Sequence, residues 1–136
     1  MKTSESLTRG TLYSRNDLRR EFGITDATIN TGIFQPRGTD SVWLFVTEQK
    51  TSDRTQYRDQ LHGDVLEWEG QSSGRKDRLI IEHAINGLEL LVFYRHSKAE
   101  YPDYAFRYEG QFRYMSHEPG DPDAKIPSRF ILEREG

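Results

Sequence analysis

Val42-Trp43-Leu44-Phe45-Val46-Thr47 runs five residues without a polar break before reaching Thr47. β-branched and aromatic residues favour strands. A strand that is apolar throughout, rather than alternating, is what a sheet covered on both faces requires. The run therefore predicts a central strand, with Trp43 in the core. Upstream, Gly32-Ile33-Phe34 reads as a second strand, set apart from the first by Pro36, Gly38 and Asp40. Downstream, Leu88 to Tyr94 is a second strongly apolar strand, interrupted only by Glu89. Val65-Leu66-Glu67-Trp68 is a short strand that enters the loop Gly70-Gln71-Ser72-Ser73-Gly74. Ala105 to Tyr114 alternates, with Gly110 as a bulge or bend, and Arg129 to Glu133 closes the set.

Helical signals are fewer. Ser14-Arg15-Asn16-Asp17 has the form of a capping box and Gly23 follows as a stop, so a helix over 15–22 is expected. Leu18 and Phe22 share one face of it, leaving Arg15, Arg19 and Arg20 outside. Asp77 to Asn86 has helical apolar spacing and ends at Asn86-Gly87. Residues 24–31 fit a helical turn or a loop equally. Residues 48–56, 97–104 and 116–127 read as loops, the last with Pro119, Gly120, Pro122 and Pro127. Six or seven short strands with two or three short flanking helices predict an α+β fold. A curved, mostly antiparallel sheet or an open barrel is the expected way to bury this pattern.

At 136 residues, one domain over 1–136 is expected, large enough to bury about two-thirds of the surface its unfolded chain exposes. There is no cysteine, so neither a disulfide framework nor a thiolate zinc site is available. The N-terminus lacks an apolar signal region and no apolar run is long enough to span a bilayer, so a soluble cytoplasmic protein with no membrane partner is expected. Net charge is −3, which argues against a nonspecific nucleic-acid coat. The charge is uneven: Lys2, Arg9, Arg15, Arg19 and Arg20 against Glu5 and Asp17 make residues 1–20 +3 and leave −6 for the rest. A basic patch on an acidic body and an ordinary solvated helix face both fit that pattern.

One constellation carries chemistry. Tyr57 and Asp59, then Trp68 and Gln71, put a phenol, a carboxylate, an indole and a carboxamide within a short span. That is the kit for sandwiching a planar base and hydrogen-bonding its edge. Tyr and Trp beside a strand also serve as packing residues more often than as ligand contacts, so both readings stand. His62, His83, His96 and His117 are scattered without a ligand-spaced pair, and no metal or other cofactor is expected. Nucleophile-elbow and phosphate-loop motifs are absent. Glu48-Gln49-Lys50, with Asp40 eight residues before Glu48, is an E-x-K pattern that could hold magnesium beside a phosphate. In so charged a chain a solvated loop is the simpler account.

Taken in order, Tyr13-Ser14-Arg15-Asn16-Asp17-Leu18, Thr55-Gln56-Tyr57-Arg58-Asp59, Trp68-Glu69-Gly70-Gln71, Leu90 to Arg95, Tyr108-Glu109-Gly110 and Arg129 to Leu132 resemble a domain found at the end of restriction helicases and fused to HNH nucleases. The resemblance covers residues 12–133, with 1–11 expected as a flexible tail. That family is similar in turn to SRA and wider PUA-like domains, which read modified cytosine in duplex DNA. The resemblance implies a twisted, mostly antiparallel, partly closed PUA/SRA-like β-barrel flanked by short helices, and a noncatalytic reader of 5-methyl- or 5-hydroxymethylcytosine in a modification-dependent, type IV restriction system. Such readers extrude the base and stack it between rings.

Carried over, Trp68 or Tyr57 would stack, Asp59 would accept from a cytosine N4 amino group, and Gln71 or the loop backbone at Gly70, Ser72 and Ser73 would contact the base or the vacated gap. Arg15, Arg19, Arg54, Arg58 and Arg75 are the candidates for phosphate contacts. The implied partners are duplex DNA and a nuclease domain elsewhere in the protein or on a partner, which implies a nucleoid-associated place in the cytoplasm. The competing expectations are a metal-dependent nuclease using Asp40, Glu48 and Lys50, and an RNA- or protein-binding PUA-like module presenting Tyr101 and Tyr104.

Overall fold

The computed structural model describes residues 1–49, 59–70, 76–121, 123–124 and 126–135. Eight strands form one sheet: β1 (Leu12–Tyr13), β2 (Ile33–Phe34), β3 (Ser41–Gln49), β4 (Gln60–His62), β5 (Val65–Glu69), β6 (Glu89–Ser97), β7 (Phe106–Glu118) and β8 (Arg129–Arg134). The helices are α1 (Arg15–Phe22) and α2 (Asp77–Ile81), with 3₁₀ turns at Thr3–Ser6, Ala27–Asn30 and Pro102–Tyr104. Strand order is β2-β3-β6-β7-β8-β5-β4, and β1 pairs with the start of β7. Every pairing is antiparallel except β3 with β6, which run parallel from Ser41↔Glu89 to Gln49↔Ser97. A parallel pair needs a long crossover. Here the crossover contains β4, β5 and α2, and its β4–β5 hairpin joins the far edge of the same sheet through the pairing of β5 with β8.

The apolar run of β3 is buried on both sides, as its lack of alternation predicts. Val42, Leu44 and Val46 join Leu66, Trp68, Val92, Phe112, Phe130 and Leu132 in one core. Trp43 and Phe45 join Leu18, Ile29, Leu91, Phe93 and Phe106 in the other, under α1 and the turn at Ala27–Asn30. Each fully buried side chain of this size stabilises by about 1.5–3 kcal/mol, so the two faces together dominate the fold's energetics. The second core is aromatic, with Phe45 stacked on Phe93 at 5.1 Å and Trp43 edge-on to Phe93 at 5.6 Å.

α1 has the expected limits. Asp17 N donates to Ser14 Oγ and Ser14 N donates to Asp17 Oδ2, each at 2.9 Å, and Gly23 adopts the left-handed conformation with φ 63°. The expected bulge is also present: register shifts between Val92 and Phe93, opposite Gly110 at φ +97°.

Several expectations are corrected. Residues 48–49 and 116–118 are strand, because pairing with β6 and β8 continues past the apolar residues. α2 stops at Ile81, and turns follow up to Gly87. There His83 takes up Leu88 O through Nδ1 and Tyr114 N through Nε2. β1 and β4, two and three residues long, carry no apolar signal long enough to read. The segment expected as a tail is packed: Trp43 Nε1 donates to Thr3 Oγ1 at 3.0 Å, Ser4 N and Oγ donate to Glu89, and Leu7 is buried. Among the described residues no helix is long and apolar enough to cross a membrane.

Candidate nucleic-acid interface

The ends of β3 and β6 and the start of β4 meet at a rim where Glu48 takes hydrogen bonds from His96 and Gln60, and Asp59 ties the start of β4 to the end of β5. Segments 50–58 and 71–75 leave the described residues at these strand ends. Tyr57, Gln71, Ser72, Ser73, Arg54, Arg58, Arg75 and Lys50 lie outside the described residues. Asp59, Trp68 and Gly70 lie within them, and Asp59 bonds the backbone of Glu69, which stands between the other two in the chain.

Asp59 is 0% exposed, and its Oδ1 accepts from Glu69 N at 2.8 Å. The carboxylate thereby ties the start of β4 to the end of β5, beside Trp68 in the chain. Trp68 is 4% exposed and its ring lies on Phe130 at 5.5 Å. It therefore contributes to the first core as well as lying next to the rim. Gly70 N donates to Ser128 O at 2.8 Å, and a Cβ at Gly70 would meet Asp77 Oδ1 and a Phe130 ring carbon at 3.0 Å. That close approach explains why a glycine stands there. Ser128 Oγ donates to Asp77 Oδ2 at 2.7 Å, and Lys76 Nζ donates to Ile33 O at 2.8 Å, so both ends of the 71–75 segment are anchored.

Glu48 has a different surrounding. Tyr94 OH donates to Glu48 Oε2 at 2.7 Å, and His96 Nδ1 meets the same oxygen. Burial works to raise the Glu48 carboxyl, but these bonds and the Gln60 carboxamide outweigh it and hold the group below the ordinary glutamate value. Burial, followed by the Glu48 hydrogen bond, pushes the Tyr94 phenol well above its usual range. Tyr94 and His96 escaped the sequence reading. Alternation along β6 was the available signal, since Tyr94 and His96 must share the face of Glu48.

Asp40 does not join them. It stands before the first residue of β3 and Glu48 near the last, a separation of about 26 Å along an extended strand, and Asp40 Oδ2 instead accepts from the Met1 amine at 2.9 Å. No group of three or more His, Cys, Asp or Glu among the described residues could hold a metal ion. Asp40 and Glu48 therefore make no common metal site.

The expectation that Arg15 lies outside the packed face of α1 is also corrected. Its guanidinium folds over Phe45 at 4.5 Å and Phe106 at 5.0 Å, donating from Nε to Ile29 O and from Nη2 to Thr31 O. Burial, with Arg95 and Arg19 nearby, lowers its pKa to about 10. Arg19 donates to Asn16 and Asn30.

No protein-family model matches the sequence, nor does any curated protein. Among solved structures, the modification-dependent TagI restriction endonuclease superposes with a TM-score of 0.56 at 18% identity, covering 94% of this chain and 50% of that one. The SUVH5 SRA domain in complex with methylated CHH DNA gives a TM-score of 0.48 at 16% identity, over 95% of this chain and 94% of that one. The chain thus spans about half the length of the TagI chain. At such identity the likeness to TagI is one of fold alone, and the open eight-stranded sheet with its short flanking helices is of the α+β class expected from the sequence.

Proposed function

We propose that this chain is a noncatalytic module that binds duplex DNA and recognises a modified cytosine, extruded from the helix, on behalf of a nuclease carried elsewhere in the protein or by a partner. The observation that carries the reading is Asp59: a fully buried carboxylate at the rim where segments 50–58 and 71–75 meet the sheet. A carboxylate oxygen accepts from more than one donor, so Oδ1, which holds Glu69 N, can also accept from an N4 amino group. The fold shared with a modification-dependent endonuclease supports the reading.

In this reading Tyr57 supplies the stacking ring, and Trp68, lying on Phe130, backs the pocket. Gln71 and the backbone of Gly70, Ser72 and Ser73 contact the base or fill the gap it leaves. Arg19, Arg54, Arg58 and Arg75 contact phosphates. Extrusion costs a few kcal/mol, which the pocket contacts must offset.

The test is a titration of fluorescent duplexes carrying cytosine, 5-methyl- or 5-hydroxymethylcytosine, with parent and Asp59→Asn. Asparagine keeps the acceptor for Glu69 N but presents a weaker, uncharged edge. The parent is expected to bind one modified duplex at least about tenfold more tightly than the plain one, a difference worth about 1.4 kcal/mol, and Asp59→Asn to lose that preference while remaining folded. Equal binding of all duplexes by the parent sinks the proposal. Trp68→Ala is the wrong probe, because truncating a buried tryptophan costs about 3–5 kcal/mol of stability whatever it binds.

A further inference from the structure

We propose that Arg15 and Arg95 together form a clamp for a backbone phosphodiester of DNA. The inference deepens the DNA-binding reading above and rests on it. Arg95 sits near the end of β6, between Tyr94 and His96, with its side chain on the opposite face of the sheet from theirs. It is 7% exposed, and its guanidinium carbon lies 3.9 Å from the centre of the Phe106 ring. Arg15 reaches the same ring from α1. Among the described residues both guanidinia are held by neutral groups only. Arg95 donates from Nε to Thr47 Oγ1 at 2.9 Å and from Nη1 to Lys98 O and Tyr104 O, while Arg15 is held by Ile29 O and Thr31 O.

Neither has a carboxylate within ion-pair distance among the described residues. Arg20, Arg78, Arg107, Arg113, Arg129 and Arg134 each have one. The nearby Glu100 accepts from His96 N instead. Two like charges brought to one aromatic ring repel each other, and partial burial weakens the water that would screen them. Burial first, then the charges of Arg95 and Arg19, lower the Arg15 pKa to about 10, and burial lowers that of Arg95.

An oxyanion placed between them removes the repulsion and gains charge-assisted hydrogen bonds. The donors for it are present. Arg15 Nη1 and Arg95 Nη2 make no hydrogen bond among the described residues and are not sealed from solvent. Lys98, whose ammonium lies 5.4 Å from the Tyr104 ring, and Arg19 add positive charge beside the pair. Stacking and carbonyl caps fix both guanidinia in advance, so little side-chain freedom remains to be lost on binding. Arg95 and Glu48 belong to the same end of the parallel β3–β6 pair, so the clamp would grip the backbone on one face while the Asp59 rim receives the base on the other.

The experiment measures duplex affinity against salt concentration for the parent, the double variant Arg15→Gln/Arg95→Gln and the charge-keeping double variant Arg15→Lys/Arg95→Lys, with thermal unfolding of each as a control on folding. Each neutralised phosphate contributes about 0.9 to the slope of log affinity against log salt. The glutamine variant is expected to lose about one to two units of slope on plain and modified duplexes alike, leaving their affinity ratio unchanged. The lysine variant, which loses the same carbonyl caps, is expected to keep most of the slope. An unchanged slope in the glutamine variant overturns the clamp, and so does an equal loss in both variants, which would mark the arginines as structural. A parent that binds DNA without preferring a modified duplex sinks the modified-base reading while the slope on plain duplex still decides the clamp.

Discussion

Glu48 and Asp59 are carboxylates at one rim with different surroundings. Asp59 is enclosed and bonded to a backbone N–H, whereas Glu48 is held by a phenol and an imidazole. The pH consequence for Glu48 follows from the direction of its shift. Its folded pKa lies below the ordinary value of 4.5, so the stability it contributes is complete above that value and is lost as pH falls through the folded pKa. Glu48→Gln is therefore expected to be less sensitive to acid than the parent, with a smaller drop in unfolding midpoint between about pH 5 and pH 3; thermal melts across that range check it. Equal drops would show that Tyr94 and His96 do not stabilise the charged form. Residue types alone pointed to Asp59, because a carboxylate between aromatic blocks is chemically conspicuous. The partnership of Glu48 with Tyr94 and His96 joins residues more than forty positions apart, and nothing local announces it.

At the scale of elements, α1 is short enough that its ends matter as much as its interior. Its one fully buried side chain is Leu18, and the capping box satisfies donors that a helix of eight residues would otherwise leave open. Ser14→Ala is expected to cost about 1 kcal/mol, read as a shift in the denaturant midpoint at unchanged slope. The limits of α1 and the character of β3 were legible because caps and apolar runs are local features. β1, β4 and the last residues of β7 were not, since these residues are strand only through the neighbours they pair with: Leu12 with Arg107, Leu61 with Leu66, Glu118 with Arg129. Local propensity is weak in strands of two or three residues, and tertiary pairing overrides it.

Across the whole molecule, the first residues belong to the fold. Glu89, which is 2% exposed, accepts from Ser4 N, Ser4 Oγ and Ser41 Oγ, and Thr3 receives the Trp43 indole N–H. Removing residues 1–7 would strip Leu7 from the second core and leave these polar groups without their partners. A loss on the order of 3 kcal/mol or more is expected from the apolar burial and the orphaned groups together, measured by chemical denaturation. A truncated chain as stable as the parent would show that this segment merely rests on the sheet.

By itself the sequence determined the class of fold, the two-sided burial of Trp43 and its neighbours, the limits of α1 and the bulge at Gly110. All of these follow from periodicity, capping and side-chain chemistry within a few positions. Only the tertiary structure decided that β3 and β6 run parallel, that Asp40 and Glu48 stand at opposite ends of one strand, that Asp59 touches the backbone beside Trp68, and that Arg15 and Arg95 share Phe106. Each of these depends on which distant segments the crossover brings side by side. Burial of the two apolar faces drives that choice, and no stretch of a dozen residues encodes it.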